Sequence, residues 1–263
     1  MTTDSSDHRP TEDEQTDRTE FVRDRYAEIA SAESDCCGGS ADVGDPDGRS
    51  RDLGYDDDDL DEAPDGSNLG LGCGNPVALA NLEPGETVLD LGSGGGFDCF
   101  LAAREVGPEG RVIGVDMTPE MLDRARENAR ESDIENVEFR LGEIEHLPVA
   151  DETVDAIISN CVINLSDAKR RVLAEAYRVL APGGRLSISD LVATDPLPDA
   201  VRTDPTLVSG CVGGAAPIER YESWLADLGF QRIDVTVDGE WDASYDGEPL
   251  PIVSARIEAV KPA

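Results

Sequence analysis

Three cysteines of this chain sit in segments of small residues: Gly72-Cys73-Gly74, Asn160-Cys161 and Gly210-Cys211-Val212-Gly213-Gly214. A single cysteine is ordinarily a small, inert core side chain. Two of them beside glycines, and a third placed just past a strand at Asn160-Cys161, ask for a different account. Thiolates are soft ligands and favour a soft, thiophilic centre, whereas hard cations prefer oxygen. A structural zinc site would want a fourth ligand, and no Cys-x-x-Cys pair occurs. A trivalent centre held by three sulfurs in a pyramid keeps a lone pair on its open side, and trivalent arsenic fits. Such a lone pair is a nucleophile that carries no proton, so no general base is required. The histidines agree: the chain has only His8, in an acidic tail, and His146. Cys99, beside Phe100 and Leu101, reads as a packing residue.

The electrophile is read from a second set of residues. A short apolar run ends in Asp90-Leu91-Gly92-Ser93-Gly94-Gly95-Gly96. Glycines after a first strand let the backbone approach a nucleotide-like ligand closely. The spacing departs from the dinucleotide pattern G-x-G-x-x-G. A carboxylate at Asp90 would repel a pyrophosphate but would favour the ammonium and sulfonium of S-adenosylmethionine. Asp116, placed to end the second strand, can accept both hydroxyls of a ribose. Met117 can pack on an adenine, and Gly142-Glu143-Ile144 can meet its edge. The candidate cofactor residues are therefore Asp90, Gly92, Ser93, Gly94, Asp116, Met117, Glu143, Ile144 and Asn160.

These residues need a scaffold that gathers strand ends. From residue 87 onward, strand and helix signals alternate, which implies a parallel sheet covered on both faces. The expected strands are Thr87–Leu91, Arg111–Val115, Val137–Leu141, Val154–Ser159, Leu186–Ser189, and runs near Arg232–Val237 and Pro251–Glu258. The last two, without a crossover helix between them, are expected as an antiparallel hairpin at the sheet edge. Helices are expected over Phe97–Val106, from the Thr118 cap to Glu131, over Asp167–Leu180 and over Ile218–Leu228. In such a sheet, ligands sit outside the carboxyl ends of the strands. Asn160-Cys161, just past strand four, then faces the transferable methyl.

Ahead of this domain, residues 1–17 read as a disordered acidic tail. Residues 18–67 read as an amphipathic helix over Arg18–Ile29, followed by an acidic loop carrying Cys36 and Cys37. The run Asp56–Asp59 is expected to be a solvated part of that loop. Residues 68–263 form the main domain, with 191–217 as a mobile segment carrying Cys211.

The segment 86–190 resembles class I S-adenosylmethionine methyltransferases, through Glu86-Thr87-Val88-Leu89-Asp90-Leu91-Gly92-Ser93-Gly94-Gly95-Gly96, Gly114-Val115-Asp116-Met117-Thr118 and Leu180-Ala181-Pro182-Gly183-Gly184-Arg185-Leu186. The resemblance implies an α/β fold, a seven-stranded Rossmann-like sheet with helices on both faces and an antiparallel edge strand. Three further motifs narrow it. Ser159-Asn160-Cys161-Val162-Ile163-Asn164-Leu165, Asn68-Leu69-Gly70-Leu71-Gly72-Cys73-Gly74-Asn75-Pro76 and Gly210-Cys211-Val212-Gly213-Gly214-Ala215 resemble the signatures of arsenite methyltransferases. That family implies arsenic(III) held by Cys161 and Cys211, joined by Cys73. It also implies a disulfide between Cys73 and an N-terminal cysteine, here Cys36 or Cys37, during turnover. Its members draw electrons from thioredoxin or small thiols. Arsenite and methylated arsenicals are the implied substrates. A quinone-biosynthesis type C- or O-methyltransferase would share residues 86–190 but gives no reason for Cys73, Cys161 and Cys211. A non-enzymatic protein that sequesters arsenic would not need Asp90, the glycine loop and Asp116 together.

Charge bounds the partners. Acidic residues number 57 against 22 basic ones, a formal charge of −35, and the only lysines are Lys169 and Lys261. A field this negative argues against nucleic acid and anionic membranes. The acidity covers both the N-terminal segment and the main domain, which reads as adaptation to high salt, where screening tames repulsion. No apolar run reaches spanning length and no signal-peptide segment opens the chain. The expectation is a cytoplasmic monomer whose cysteines are thiols unless redox chemistry is their task.

Overall fold

The computed structural model describes residues 12–31, 45–132 and 134–263. The expected tail over residues 1–11, His8, Cys36 and Cys37 lie outside the described residues. Helix α1 spans Glu12–Ser31, so it begins well before the expected Arg18. Residues 12–17 are helical rather than tail. Two short helices follow, α2 (Pro46–Asp52) and α3 (Asp57–Glu62). The Asp56–Asp59 run is thus not a loop. The Asp59 amide donates to Asp56 Oδ1 at 2.8 Å and the Asp56 amide donates to Asp59 Oδ2 at 3.1 Å. That reciprocal capping box, with carboxylates in the first turn, turns an acidic run into a helix start.

Next come α4 (Pro76–Ala80), β1 (Thr87–Leu91), α5 (Phe97–Val106), β2 (Arg111–Asp116), α6 (Pro119–Glu131), β3 (Val137–Leu141) and β4 (Val154–Asn160). After a 3-10 turn at Ile163–Leu165 come α7 (Lys169–Val179) and β5 (Leu180–Ala193). The expected mobile segment holds α8 (Asp199–Thr203), α9 (Pro205–Ser209) and β6 (Ala216–Pro217). The chain ends with α10 (Ile218–Leu228), β7 (Gln231–Glu240), the small hairpin β8 (Ser244–Tyr245) and β9 (Glu248–Pro249), and β10 (Ile252–Val260).

The main sheet runs β3-β2-β1-β4-β5-β10-β7, with β6 on β5. Strands β1 to β5 pair in parallel. β10 is antiparallel to both β5 and β7. The reversed strand therefore belongs to the edge pair, as expected, and is inserted ahead of β7 rather than lying outermost. β5 is longer than the expected Leu186–Ser189, because a register shift opposite Val154 and Ala156 lets Pro182-Gly183-Gly184 loop out of the pairing.

Alternation along β1 sorts side chains to two faces. Leu89 and Leu91 pack with α7 and α10 residues such as Val172, Leu173, Tyr221 and Leu225. Val88 packs with Phe100, Ala103 and Leu122 of α5 and α6. Asp90 shares the Val88 parity, so its carboxylate is placed on the α5 side. Among the described residues no helix is long and apolar enough to cross a membrane.

Candidate functional site

A cleft opens at the carboxyl ends of β1, β2 and β4. Of the residues expected to meet a cofactor, Asp90, Gly92, Ser93, Gly94, Asp116, Met117, Ile144 and Asn160 line it. Glu143 does not: its side chain is exposed and faces His146 at 3.7 Å. The neighbouring Gly142, Ile144 and Glu145 line the cleft instead. Gly92 has φ +71°, and a Cβ there would lie 2.4 Å from a Val162 methyl. Only glycine serves a position that is both left-handed and this close to another chain segment.

Asp116 holds the loop in shape. The Gly94 amide donates to Asp116 Oδ2 at 2.9 Å and the Thr118 amide donates to Oδ1 at 2.8 Å. Burial raises the Asp116 carboxyl above its ordinary value, and these backbone donors offset only part of the rise. Asp90 is buried, and Cys99 Sγ donates to its Oδ2 at 3.2 Å. Cys99 is thus a core residue, as expected, and also a hydrogen-bond partner of the loop. Burial, then the nearby Asp98, pushes Asp90 well above the usual carboxylate range, while the Cys99 thiol opposes this. Burial likewise raises Asp98 to about 6. The groups acting most strongly on either acid include no lysine or arginine.

These features test the fit of S-adenosylmethionine. The buried Asp90 and half-buried Asp98, with no cationic partner among the described residues, favour a ligand that brings its own positive charge. Ser93 Oγ is buried and has no hydrogen-bond partner among the described residues, although it lines the cleft. Such orphans are uncommon and mark a missing ligand or solvent partner. Met117, Met121, Ile144 and Phe97 supply apolar wall. The residues present fit the cofactor.

Asn160 joins this cleft to the cysteines. Its Oδ1 accepts from the Cys73 amide at 2.9 Å, and its Nδ2 donates to Gly74 O at 2.8 Å. The same Nδ2 reaches Tyr55 Oη at 3.0 Å and Asp98 Oδ2 at 3.1 Å. The Tyr55 hydroxyl donates to Asp98 Oδ1 at 2.6 Å. Asn160 therefore staples the Cys73 loop to the end of β4.

Cys73 and Cys161 are joined as a disulfide, with Cα atoms 5.7 Å apart. The expected partner of Cys73 was Cys36 or Cys37; in this state Cys161 occupies that role, because the staple at Asn160 sets the two loops side by side. Cys211 Sγ donates to the Cys161 carbonyl at 2.8 Å. All three cysteines are buried and share one apolar cluster with Leu191, Val201 and Val212. Cys161 and Cys211 have φ +57° and +67°. For a residue with a Cβ this conformation costs about 1–2 kcal/mol, and it gathers at functional sites. Cys161 is further held by its amide donating to Ser189 O at 2.8 Å. The Cys211 segment packs closely on the loop after β4: a Cβ on Gly214 would fall 1.9 Å from Asn164 O.

Several lining residues were not legible in the sequence. Thr19 and Tyr26 of α1, Tyr55, Ser67, Asp98 and Ser166 all reach the cleft, beside Asn68, Leu69 and Gly70 of the motif ahead of Cys73. Arg25 donates to Ser209 Oγ at 2.8 Å, so α1 spans from the cleft to the Cys211 segment. The amphipathic spacing in 18–29 was the only sequence signal, and it did not say what the helix covers. Behind the cysteines lies Asp190, fully buried, which burial raises to about 7. Lys169, also buried, is lowered to about 8 by burial and by Arg18.

Known proteins bear on this arrangement. Residues 82–231 match the family described as a methyltransferase domain. An arsenite methyltransferase from Halobacterium salinarum is 56% identical over 93% of this chain and 66% of its own length. One from Aquipseudomonas alcaligenes is 47% identical over 64% of this chain and 50% of its own. The crystal structure of an arsenic(III) S-adenosylmethionine methyltransferase from Chlamydomonas reinhardtii superposes with a TM-score of 0.62 at 35% identity, covering 82% of this chain and 73% of that one. The chain spans between half and two thirds of these two curated relatives. The match to the Halobacterium relative extends beyond residues 82–231 to cover 93% of the chain, and this chain therefore belongs to the arsenite methyltransferase family.

Proposed function

We propose that this protein transfers methyl groups from S-adenosylmethionine to thiol-bound trivalent arsenic, an arsenic-detoxifying reaction. One observation carries the reading. Cys161 both lines the cofactor cleft and lies in the buried cysteine cluster with Cys73 and Cys211. A centre held by these sulfurs would be bound at the mouth of the cleft.

When bound, the cofactor supplies an electrophilic methyl on a sulfonium. Asp90, Asp98 and Ser93 would hold its polar end, Asp116 its ribose, and Met117 and Ile144 its base. The protein's own work is positioning. Reduction of the Cys73–Cys161 bond takes two electrons and two protons from thioredoxin or small thiols and frees both sulfurs. Cys73, Cys161 and Cys211 then displace three hydroxides from arsenite, each leaving as water with a thiol proton. The arsenic keeps its lone pair, and the cysteines aim it at the cleft. No side chain has to remove a proton from the nucleophile. Cys36 or Cys37 would return later as the redox partner of Cys73. The reading carries with it a cytoplasmic enzyme that works as a monomer.

Incubating the pure protein with labelled S-adenosylmethionine, arsenite and thiol tests it. Labelled methylarsenicals are expected. Labelled organic product without methylarsenicals, or bound arsenic without product, would refute it.

A further inference from the structure

The proposed chemistry leaves one buried acid unused. Asp190, on β5, has no exposed surface. A carboxylate oxygen of Asp190 and the sulfurs of Cys73 and Cys161 all lie within 4.8 Å of one another. Among the described residues this is the one such group of potential metal-binding side chains. Pyramidal arsenic is satisfied by three thiolates and has no place for a carboxylate.

The carboxylate is also firmly aimed. Asn164 Nδ2 donates to Asp190 Oδ1 at 2.8 Å, the Leu191 amide donates to the same oxygen at 2.8 Å, and the Asn164 amide donates to Oδ2 at 3.2 Å. Asn164 is held in turn: its Oδ1 accepts from Tyr221 Oη at 3.1 Å and its Nδ2 donates to Leu191 O at 2.7 Å. Hydrogen bonds that orient a ligand from behind are the usual support of a metal-binding carboxylate. Zinc takes cysteine sulfur at about 2.3 Å and carboxylate oxygen at about 2.0–2.2 Å. Donors around a tetrahedral ion then stand roughly 3.3–3.8 Å apart. The Asp190 oxygen already stands within 4.8 Å of both sulfurs, and once the disulfide is reduced the two sulfurs need only separate to that spacing.

We infer that the reduced protein holds a zinc-like divalent cation between Cys73, Cys161 and Asp190, an open site of three protein ligands whose fourth position is left to solvent, and that this ion competes with arsenite for the same two sulfurs. Binding needs the disulfide reduced by two electrons and two protons from an added thiol or phosphine. The two thiols then release their protons to solvent as the metal–sulfur bonds form, with no change in oxidation state. The metal site rests on a carboxylate that arsenic would not use, and only the competition rests on the arsenic reading.

The test uses the full chain, reduced anaerobically with a phosphine that is then removed. Cadmium is titrated in first, followed through its ultraviolet thiolate-to-metal band, and zinc is measured by displacing it. Arsenite binding is measured separately, in metal-free protein. Asp190→Asn is expected to weaken zinc at least about tenfold, the size of loss seen when support of a metal site is removed. Arsenite affinity should stay within about twofold. An equal loss for zinc and arsenite would make Asp190 a structural residue and overturn the inference. So would unchanged zinc affinity. Should the buried substitution prevent folding, X-ray absorption of the zinc-loaded wild type decides. A shell of sulfur with at least one oxygen supports the site; sulfur alone, or no sulfur, rejects it. Cadmium binding without arsenite binding would sink the arsenic reading and the competition with it, and leave the metal site standing.

Discussion

The cofactor cleft and the cysteine cluster meet at Asn160 and Cys161, yet they are built in opposite ways. The cleft is made by strand ends whose turns shape themselves. Asp116 binds the Gly94 and Thr118 amides, and Gly92 takes a left-handed turn that brings the loop close to Val162. The cluster has no such local support. Cys73 and Cys161 are 88 residues apart in sequence, and Cys211 reaches Cys161 across 50. Two of the three cysteines sit in left-handed backbone, held by contacts from other segments. A site assembled from distant loops is set by long-range hydrogen bonds and close packing. It should therefore be more sensitive to single changes than a site set by one turn.

The largest expected effect falls on the cluster alone. Cys161→Ser and Cys211→Ser should each lower arsenite methylation roughly a hundredfold or more, because a misplaced nucleophile loses its near-attack geometry and serine is a far harder ligand. Cofactor affinity should survive in both. Arsenic speciation of the product beside titration calorimetry checks this, and near-normal turnover in either variant would break the division between the two regions.

The next test is the mirror image. Asp116→Ala should weaken S-adenosylmethionine by about 1.5–3 kcal/mol, typical of hydrogen bonds to a charged group, with little change for arsenite. Unchanged cofactor affinity would remove the ribose role and make Asp116 a loop-shaping residue only.

Asn160→Ala probes the joint. It leaves the Cys73 amide without its acceptor and takes one of two donors from Asp98, a loss of about 1–3 kcal/mol for a buried unsatisfied group. Arsenite and cofactor affinities should fall together. A change confined to one ligand would show that the regions touch without being coupled.

The smallest effect is on stability. Asp98, in the cleft, is raised to about 6, and Asp190, behind the cluster, to about 7. Both values lie above the ordinary 3.8, so the folded state binds these protons more tightly than the unfolded chain does. Their contribution is full below about pH 4 and is lost as pH rises through each folded value. Melting temperature should therefore drop between pH 4 and 7. Asp98→Asn should flatten the part of that drop up to about pH 6 and leave the part nearer 7. Identical slopes for wild type and variant would mean that Asp98 is not held protonated by its burial.

Much of this was legible early. The glycine run, Asp90 and Asp116 are local patterns whose meaning depends only on the turn they sit in. The strand and helix order followed from periodicity and caps. Glu143 failed because a loop residue's direction is not encoded by its neighbours; the chain turns Ile144 and Glu145 inward instead. The Asp56–Asp59 run failed because a charge count hides the reciprocal cap that makes it helical. The role of Tyr55, Asp98 and α1 was invisible, since each acts on residues far away in sequence.

By itself, then, the sequence determined the α/β class, the acidic surface, the cofactor loop and the identity of the three cysteines. Each of these depends on residue type and short-range spacing. The tertiary structure alone decided that Cys73 bonds to Cys161, that Asn160 is the staple between the two sites, and that Asp190 stands behind both sulfurs. The reason is the ordering of the sheet. Only when β4 and β5 lie side by side do Cys161 and Asp190 face the loop that carries Cys73, and no local pattern specifies that adjacency.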